Sequence, residues 1–156
     1  MKKIILNNGE TTLVDDNDFD YLNKWVWHVN IKGYVERSTW ARGKGRTTTI
    51  RMQRVIMNPP ANLQVDHING NKLDNRQSNL RLATNSQNQA NTNKRRDNTS
   101  GYKGITFYPR NNKWGARLQV NGIRKWLGLF DDIQEAKNIY NKAIRQYFGE
   151  YAKENI

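Results

Sequence analysis

Cysteine is absent from the 156 residues, which excludes disulfides, a disulfide-linked partner, thiolate zinc sites and a cysteine nucleophile. Histidine occurs only at His28 and His67, too few for a zinc site built on imidazoles alone. No apolar run approaches the ~18 residues of a membrane span. The opening Met1-Lys2-Lys3 passes through Ile4-Ile5-Leu6 straight into Asn7-Asn8, unlike a secretory leader. A soluble intracellular protein without a membrane partner is the expectation. Apolar residues are also scarce. Hydrophobic side chains make up 36% of the chain, so its cores must be small.

What is abundant is positive charge and aromatic area. Lys and Arg number 26 against 14 Asp and Glu, a net charge of +12 with an isoelectric point near 10.1, and the excess runs along the whole chain. Such a body suits a polyanion, because neutralising phosphates releases condensed counterions. Five Trp and four Phe argue against disorder. The length allows one domain or two small modules and excludes a large multi-domain enzyme.

Residues 1–60 read as an N-terminal β region. Strands are expected at Lys3–Leu6, Thr11–Val14, Trp25–Asn30, Tyr34–Arg37 and Thr47–Arg51, with a helical turn near Asp16–Lys24 and a short helix at Met52–Met57 stopped by Asn58-Pro59-Pro60. The stretch Gln89–Ser100 holds a single Ala as its apolar content, so it should be a solvated helix end running into a linker at 96–100. Beyond it, Trp114, Ala116, Leu118 and Val120 alternate with polar residues or glycine. Asn121-Gly122 supplies the positive-φ pair of a type I′ turn, and Arg124–Phe130 returns as a strand. Ile133, Ala136, Tyr140, Ala143, Ile144 and Phe148 then follow helical spacing after Asp132-x-x-Glu135. The fold class is therefore α+β: an N-terminal β region, a central segment at 61–95, and a three-strand-plus-helix module at 101–156.

Chemistry concentrates at 64–88. Val65-Asp66-His67-Ile68, the turn Asn69-Gly70-Asn71, Asn79-Leu80-Arg81-Leu82 and the capping box Thr84-x-x-Gln87 read as strand, long turn, strand and helix. Alternation places Asp66 and His67 on opposite sides of one strand, so a local bend is expected if both serve one site. An imidazole with pKa near 6.5 can act as a base at cellular pH. Asp66 and Asn88 offer two hard oxygen ligands to one Mg²⁺, or to Mn²⁺ in its place. Asn79 can hold the hairpin or the ring through its amide.

Asp66-His67, an Asn twelve residues after the His and a second Asn nine further on resemble the HNH (ββα-metal, His-Me finger) endonucleases in the H-N-N form of phage and intron homing enzymes. The resemblance implies that His67 is the general base, that Asp66 and Asn88 bind the metal, and that Asn79 supports the site. It further implies a strand-nicking enzyme that works as a monomer or weak dimer on double-stranded DNA in the cytoplasm of a bacterial host, with a phage-like gene. Gln53 stands where relatives often carry His.

Over about 101–152, Gly101-Tyr102-Lys103-Gly104-Ile105, the strand at Trp114–Leu118 and Arg124–Phe130 with its following helix resemble the AP2 DNA-binding domain. That resemblance implies a three-stranded sheet in the major groove, with Lys103, Thr106, Tyr108, Arg110, Arg117, Gln119, Arg124 and Trp126 facing DNA, and with the basic Lys94-Arg95-Arg96 before it on the backbone. Thr106 and Tyr108 depart from a pattern in which arginines are common. The rival reading is a non-catalytic AP2-type regulator carrying an inactive HNH scaffold.

Overall fold

The computed structural model describes residues 1–41 and 46–156. It is a mixed α/β structure of several small antiparallel sheets and few helices. The chain divides into two units, Met1–Ala83 and Thr84–Ile156.

In the first unit, β1 (Lys2–Ile5) pairs antiparallel with β2 (Thr11–Val14), followed by α1 (Asp16–Leu22). β3 (His28–Val29), β4 (Val35–Ala41) and β5 (Arg46–Arg51) form an antiparallel sheet that leads into α2 (Met52–Met57). The strand expected over Trp25–Asn30 shortens to two residues. Trp27 explains this, because its indole turns wholly into the core and donates to the Leu22 carbonyl at 2.8 Å, while Val26 stays exposed. Ile4, Leu6, Val14, Leu22, Trp27, Val35 and Met52 form the core. α2 ends at Asn58 in the left-handed region, φ 39° and ψ 56°, which a short amide side chain tolerates before proline.

The central hairpin pairs β6 (Gln64–His67) with β7 (Leu80–Ala83), Asp66 opposite Arg81 and His67 opposite Leu80. Register is regular through both residues, so the anticipated bend is not in the pairing. The loop between the strands is stitched to the N-terminal hairpin: Leu13 N–H donates to the Leu73 carbonyl and Asn75 N–H to the Leu13 carbonyl, both at 2.8 Å.

The second unit starts at α3 (Asn85–Ala90), whose N-cap Thr84 completes the anticipated capping box with Gln87. β8 (Ile105–Tyr108), β9 (Lys113–Val120) and β10 (Ile123–Phe130) make an antiparallel sheet in the order β10-β9-β8, and α4 (Ile133–Phe148) packs against it. Asn121 (φ 50°) and Gly122 (φ 84°) make the β9–β10 turn, and Asp132 Oδ2 accepts from Glu135 N–H at the start of α4. The division at Ala83 falls inside the segment 61–95 rather than at 96–100. Ala90 is the reason: it is buried with Leu118, Tyr140, Ile144 and Phe148 and is no solvated helix end. Residues 96–100 are likewise knit into this unit, Ser100 Oγ donating to the Ile105 carbonyl at 2.8 Å.

Candidate active site and nucleic-acid interface

His67 is buried near the end of β6, only 4% exposed. Its Nε2 lies 3.1 Å from Asn75 Oδ1, and the neighbours of Asn75 decide which partner holds the hydrogen. Asn75 Nδ2 donates to the Lys72 carbonyl at 3.2 Å and to Thr12 Oγ1 at 2.9 Å. The Thr12 hydroxyl in turn donates to the Leu73 carbonyl at 2.8 Å. A backbone carbonyl can only accept, so the amide nitrogen of Asn75 faces Lys72 and its oxygen faces the ring. Nε2 therefore carries the proton of the neutral imidazole, and Nδ1 carries the lone pair. Thr12 and Asn75 are wholly buried, which strengthens the polar chain by excluding competing water. Burial pushes the His67 pKa below its ordinary value of 6.5, outweighing the Asn75 hydrogen bond and the Asp66 charge that favour the protonated ring.

Asp66 is also buried, at 5% exposure. Arg81, its cross-strand neighbour, brings both Nε and Nη2 to within 2.9 Å of Oδ2. The Asp66 charge reaches the His67 imidazole and favours its protonated form. Asn79 holds the loop: Nδ2 donates to the Asp74 carbonyl at 2.8 Å, and Oδ1 accepts from Asn69 N–H at 3.0 Å. Asp74 is clamped by Arg76 through Nε at 2.7 Å and Nη2 at 2.6 Å, which holds its carboxyl below the usual range. On α2, which packs against β6 and β7, Gln53 is buried, and its Oε1 has no hydrogen-bond partner among the described residues.

Asn88 belongs to α3 in the second unit. Among the described residues no cluster of three or more His, Cys, Asp or Glu could hold a metal ion. A carboxylate oxygen, as on Asp66, and an amide oxygen, as on Asn88, are each hard donors of the kind that Mg²⁺ takes from proteins.

In the second unit, alternation along the sheet gives one outward face. Arg117 pairs with Trp126 and Gln119 with Arg124 across β9 and β10, and Thr106 and Tyr108 lie on β8. Tyr108 and Trp126 meet edge to face at 5.8 Å, directly over Gly115, where a Cβ would overlap both rings. Arg110 sits in the exposed turn after β8. Lys103 departs from expectation. Its ammonium donates to the carbonyls of Gln89, Ala90 and Thr92 at 2.8–3.0 Å, so all three donors are spent capping the end of α3. Lys94 donates to the Gly101 carbonyl and Arg95 pairs with Asp97, while Arg96 is exposed.

Sequence reasoning missed Thr12, Asn75 and Arg81. Arg81 was within reach, since pairing 79–82 on 64–68 places it opposite Asp66. Thr12 and Asn75 carried no local signal, one lying in a strand and the other in a polar turn.

The family model described as HNH endonuclease matches residues 58–90. An uncharacterized HNH endonuclease of Acanthamoeba polyphaga mimivirus, L560, is 31% identical over 154 residues, 97% of this chain and 79% of the relative. The chain belongs to the HNH endonuclease family. Protein 3.8 of Escherichia phage T7 is 30% identical over 94 residues, covering 60% of this chain and 77% of that protein. The Arabidopsis thaliana AP2/ERF and B3 domain-containing transcription repressor TEM1 is 37% identical over 71 residues, 46% of this chain and 19% of the repressor. No solved structure matches. No helix among the described residues is long and apolar enough to cross a membrane.

Proposed function

We propose that this endonuclease hydrolyses phosphodiesters of duplex DNA, in the manner of a phage homing enzyme, with His67 as general base. The observation that carries the reading is the buried chain from the Leu73 carbonyl through Thr12 and Asn75 to Nε2, which supports Nδ1 as the proton acceptor. Nδ1 takes a proton from water, the water oxygen attacks phosphorus, and the bond to the 3′ oxygen breaks. Asp66 and Asn88 would hold one divalent ion, Mg²⁺ or Mn²⁺, which when bound supplies Lewis-acid stabilisation of the developing charge. Asn79 and the Asp74–Arg76 pair act as positioning groups that keep the loop beneath the imidazole closed. Burial keeps the ring neutral near pH 7, so no proton must leave it before it works.

DNA binding falls to the second unit, read as an AP2-like sheet. Its outward face presents Thr106, Tyr108, Arg117, Gln119, Arg124 and Trp126, chemistry suited to base edges and phosphates in a major groove, with Arg110 and Lys94–Arg96 available to the backbone. One such site cuts one strand at a time, so a monomer nicks. The deciding assay is supercoiled plasmid with Mg²⁺. The parent chain converts it to open circle, and His67→Ala slows this by at least ~10²-fold, the low end for a positioned base. An unchanged rate in His67→Ala removes the assignment. Duplex binding without any metal-dependent scission points instead to the regulator reading.

A further inference from the structure

Beside the proposed base lies a group of cations that hydrolysis itself does not use. The ring of Tyr34, just before β4, has its centroid 6.1 Å from that of His67. Two cations rest on it, Arg51 with Cζ at 4.7 Å and Lys72 with Nζ at 4.3 Å. Lys72 is held in place by donating to the Lys32 carbonyl at 2.5 Å. Burial, then repulsion from Arg51 and Lys32, pushes its ammonium below the ordinary lysine range. Lys72 therefore stands within Coulombic reach of both Arg51 and Lys32. Glu36 offsets them only in part, because its carboxylate also accepts from Asn30 Nδ2 at 2.6 Å and lies 3.7 Å from His28 Nε2, against 3.9 Å from Arg51 Nε.

Gathering like charges on one aromatic face disfavours the empty fold, and an anion reverses the sign of that term. The geometry also suits one particular anion. Arg offers a planar fork and Lys a compact point charge, the two usual ligands of phosphate oxygens. The ring pins both heads in advance, which reduces the ordering cost of binding. The Arg51 side chain is 44% exposed, and with Lys32 and Arg54 it lines an open groove of about 650 Å³.

We propose that Lys72 and Arg51, resting on the Tyr34 ring, together with Lys32 bind a backbone phosphate of the nucleic-acid substrate, adjacent to the one attacked by the water that His67 activates. Only the adjacency to the scissile phosphate rests on the reading of His67 as base. The anion site stands on the cation geometry alone.

The test uses the full chain and a labelled duplex oligonucleotide in EDTA, so that binding is read without cleavage, by fluorescence anisotropy over a range of salt. For Lys72→Met, Kd should rise several-fold, and the slope of log K against log salt should shrink by about 0.9, one phosphate contact. Arg51→Met, at a half-exposed position, should repeat this, and Lys72→Arg should restore the slope. Lys24→Met, two residues beyond α1, removes the same unit charge elsewhere and sets the baseline. Slopes for Lys72→Met and Arg51→Met equal to that baseline overturn the proposal. So does an unchanged Kd accompanied by slower nicking at saturating protein, which would move these cations into the chemical step. If His67→Ala still nicks while the slopes shift as expected, the base assignment falls and the phosphate site stands.

Discussion

Asn75 bears no charge and touches no solvent, yet its amide fixes which imidazole nitrogen of His67 is protonated. Asn75→Ala should therefore lower the nicking rate at saturating DNA by at least about tenfold, within the range a positioned base controls, with little change in Kd. Equal rates in parent and variant would show that the ring finds its tautomer unaided. Thr12→Val strands a buried Asn75 donor and should cost about 1–3 kcal/mol in urea unfolding, while Thr12→Ser should restore most of it. The pH dependence follows from burial of the ring. Nicking should rise with pH through a midpoint below 6.5 and be flat from neutrality upward. Because the folded-state pKa is depressed, the unfolded chain binds more protons in the interval below 6.5. This group's contribution to stability is thus present above 6.5 and lost as pH falls through the folded-state value. Rate profiles and acid unfolding followed by circular dichroism read the two effects separately. At this scale spacing singled out Asp66, His67 and Asn79 as candidates, and it hid Thr12 because that side chain's contact with Asn75 exists only once β2 lies against the 73–75 loop.

Hairpins and capped helices were the most legible elements, because their causes are local. Asn121-Gly122 dictates its turn, Thr84 and Gln87 dictate the start of α3, and the spacing from Ile133 to Phe148 dictates α4. Where a tertiary contact decides, the local signal misled. Trp25–Asn30 is rich in strand-forming residues, but the Trp27 indole leaves the ladder for the core. Lys103 sits in a basic stretch, but its ammonium serves the α3 carbonyls. Two glycines expose further constraints. At Gly115 an added Cβ would overlap Tyr108 and Trp126, so Gly115→Ala should separate those rings and weaken duplex binding several-fold in the anisotropy assay while the nicking site keeps its hydrogen bonds. Gly104 combines φ +75° with a Cβ position that would overlap the edge of the Tyr140 ring and the Arg117 carbonyl oxygen. Gly104→Ala should destabilise the second unit by at least about 1 kcal/mol, visible as a lower melting temperature.

The net charge of +12 makes salt the simplest lever on the whole molecule. If six or more phosphates are neutralised, raising salt from about 50 to 200 mM should weaken duplex binding by about 10³-fold or more; a flat response would mean that the charge serves solubility instead. Composition announced this polyanion preference. It did not announce where the chain divides, since Ala90 reads as part of a polar tail until its burial against α4 is seen. The pinning of the 73–77 loop by β2 and by Asp15, whose Oδ2 accepts from Gln77 N–H at 2.7 Å, bears on any attempt to miniaturise the enzyme. A peptide cut to residues 58–90, the stretch that the family model recognises, would keep every signature side chain and lose the threonine that steers the imidazole's proton. A portable nuclease cassette made from this chain has to begin at its first strand.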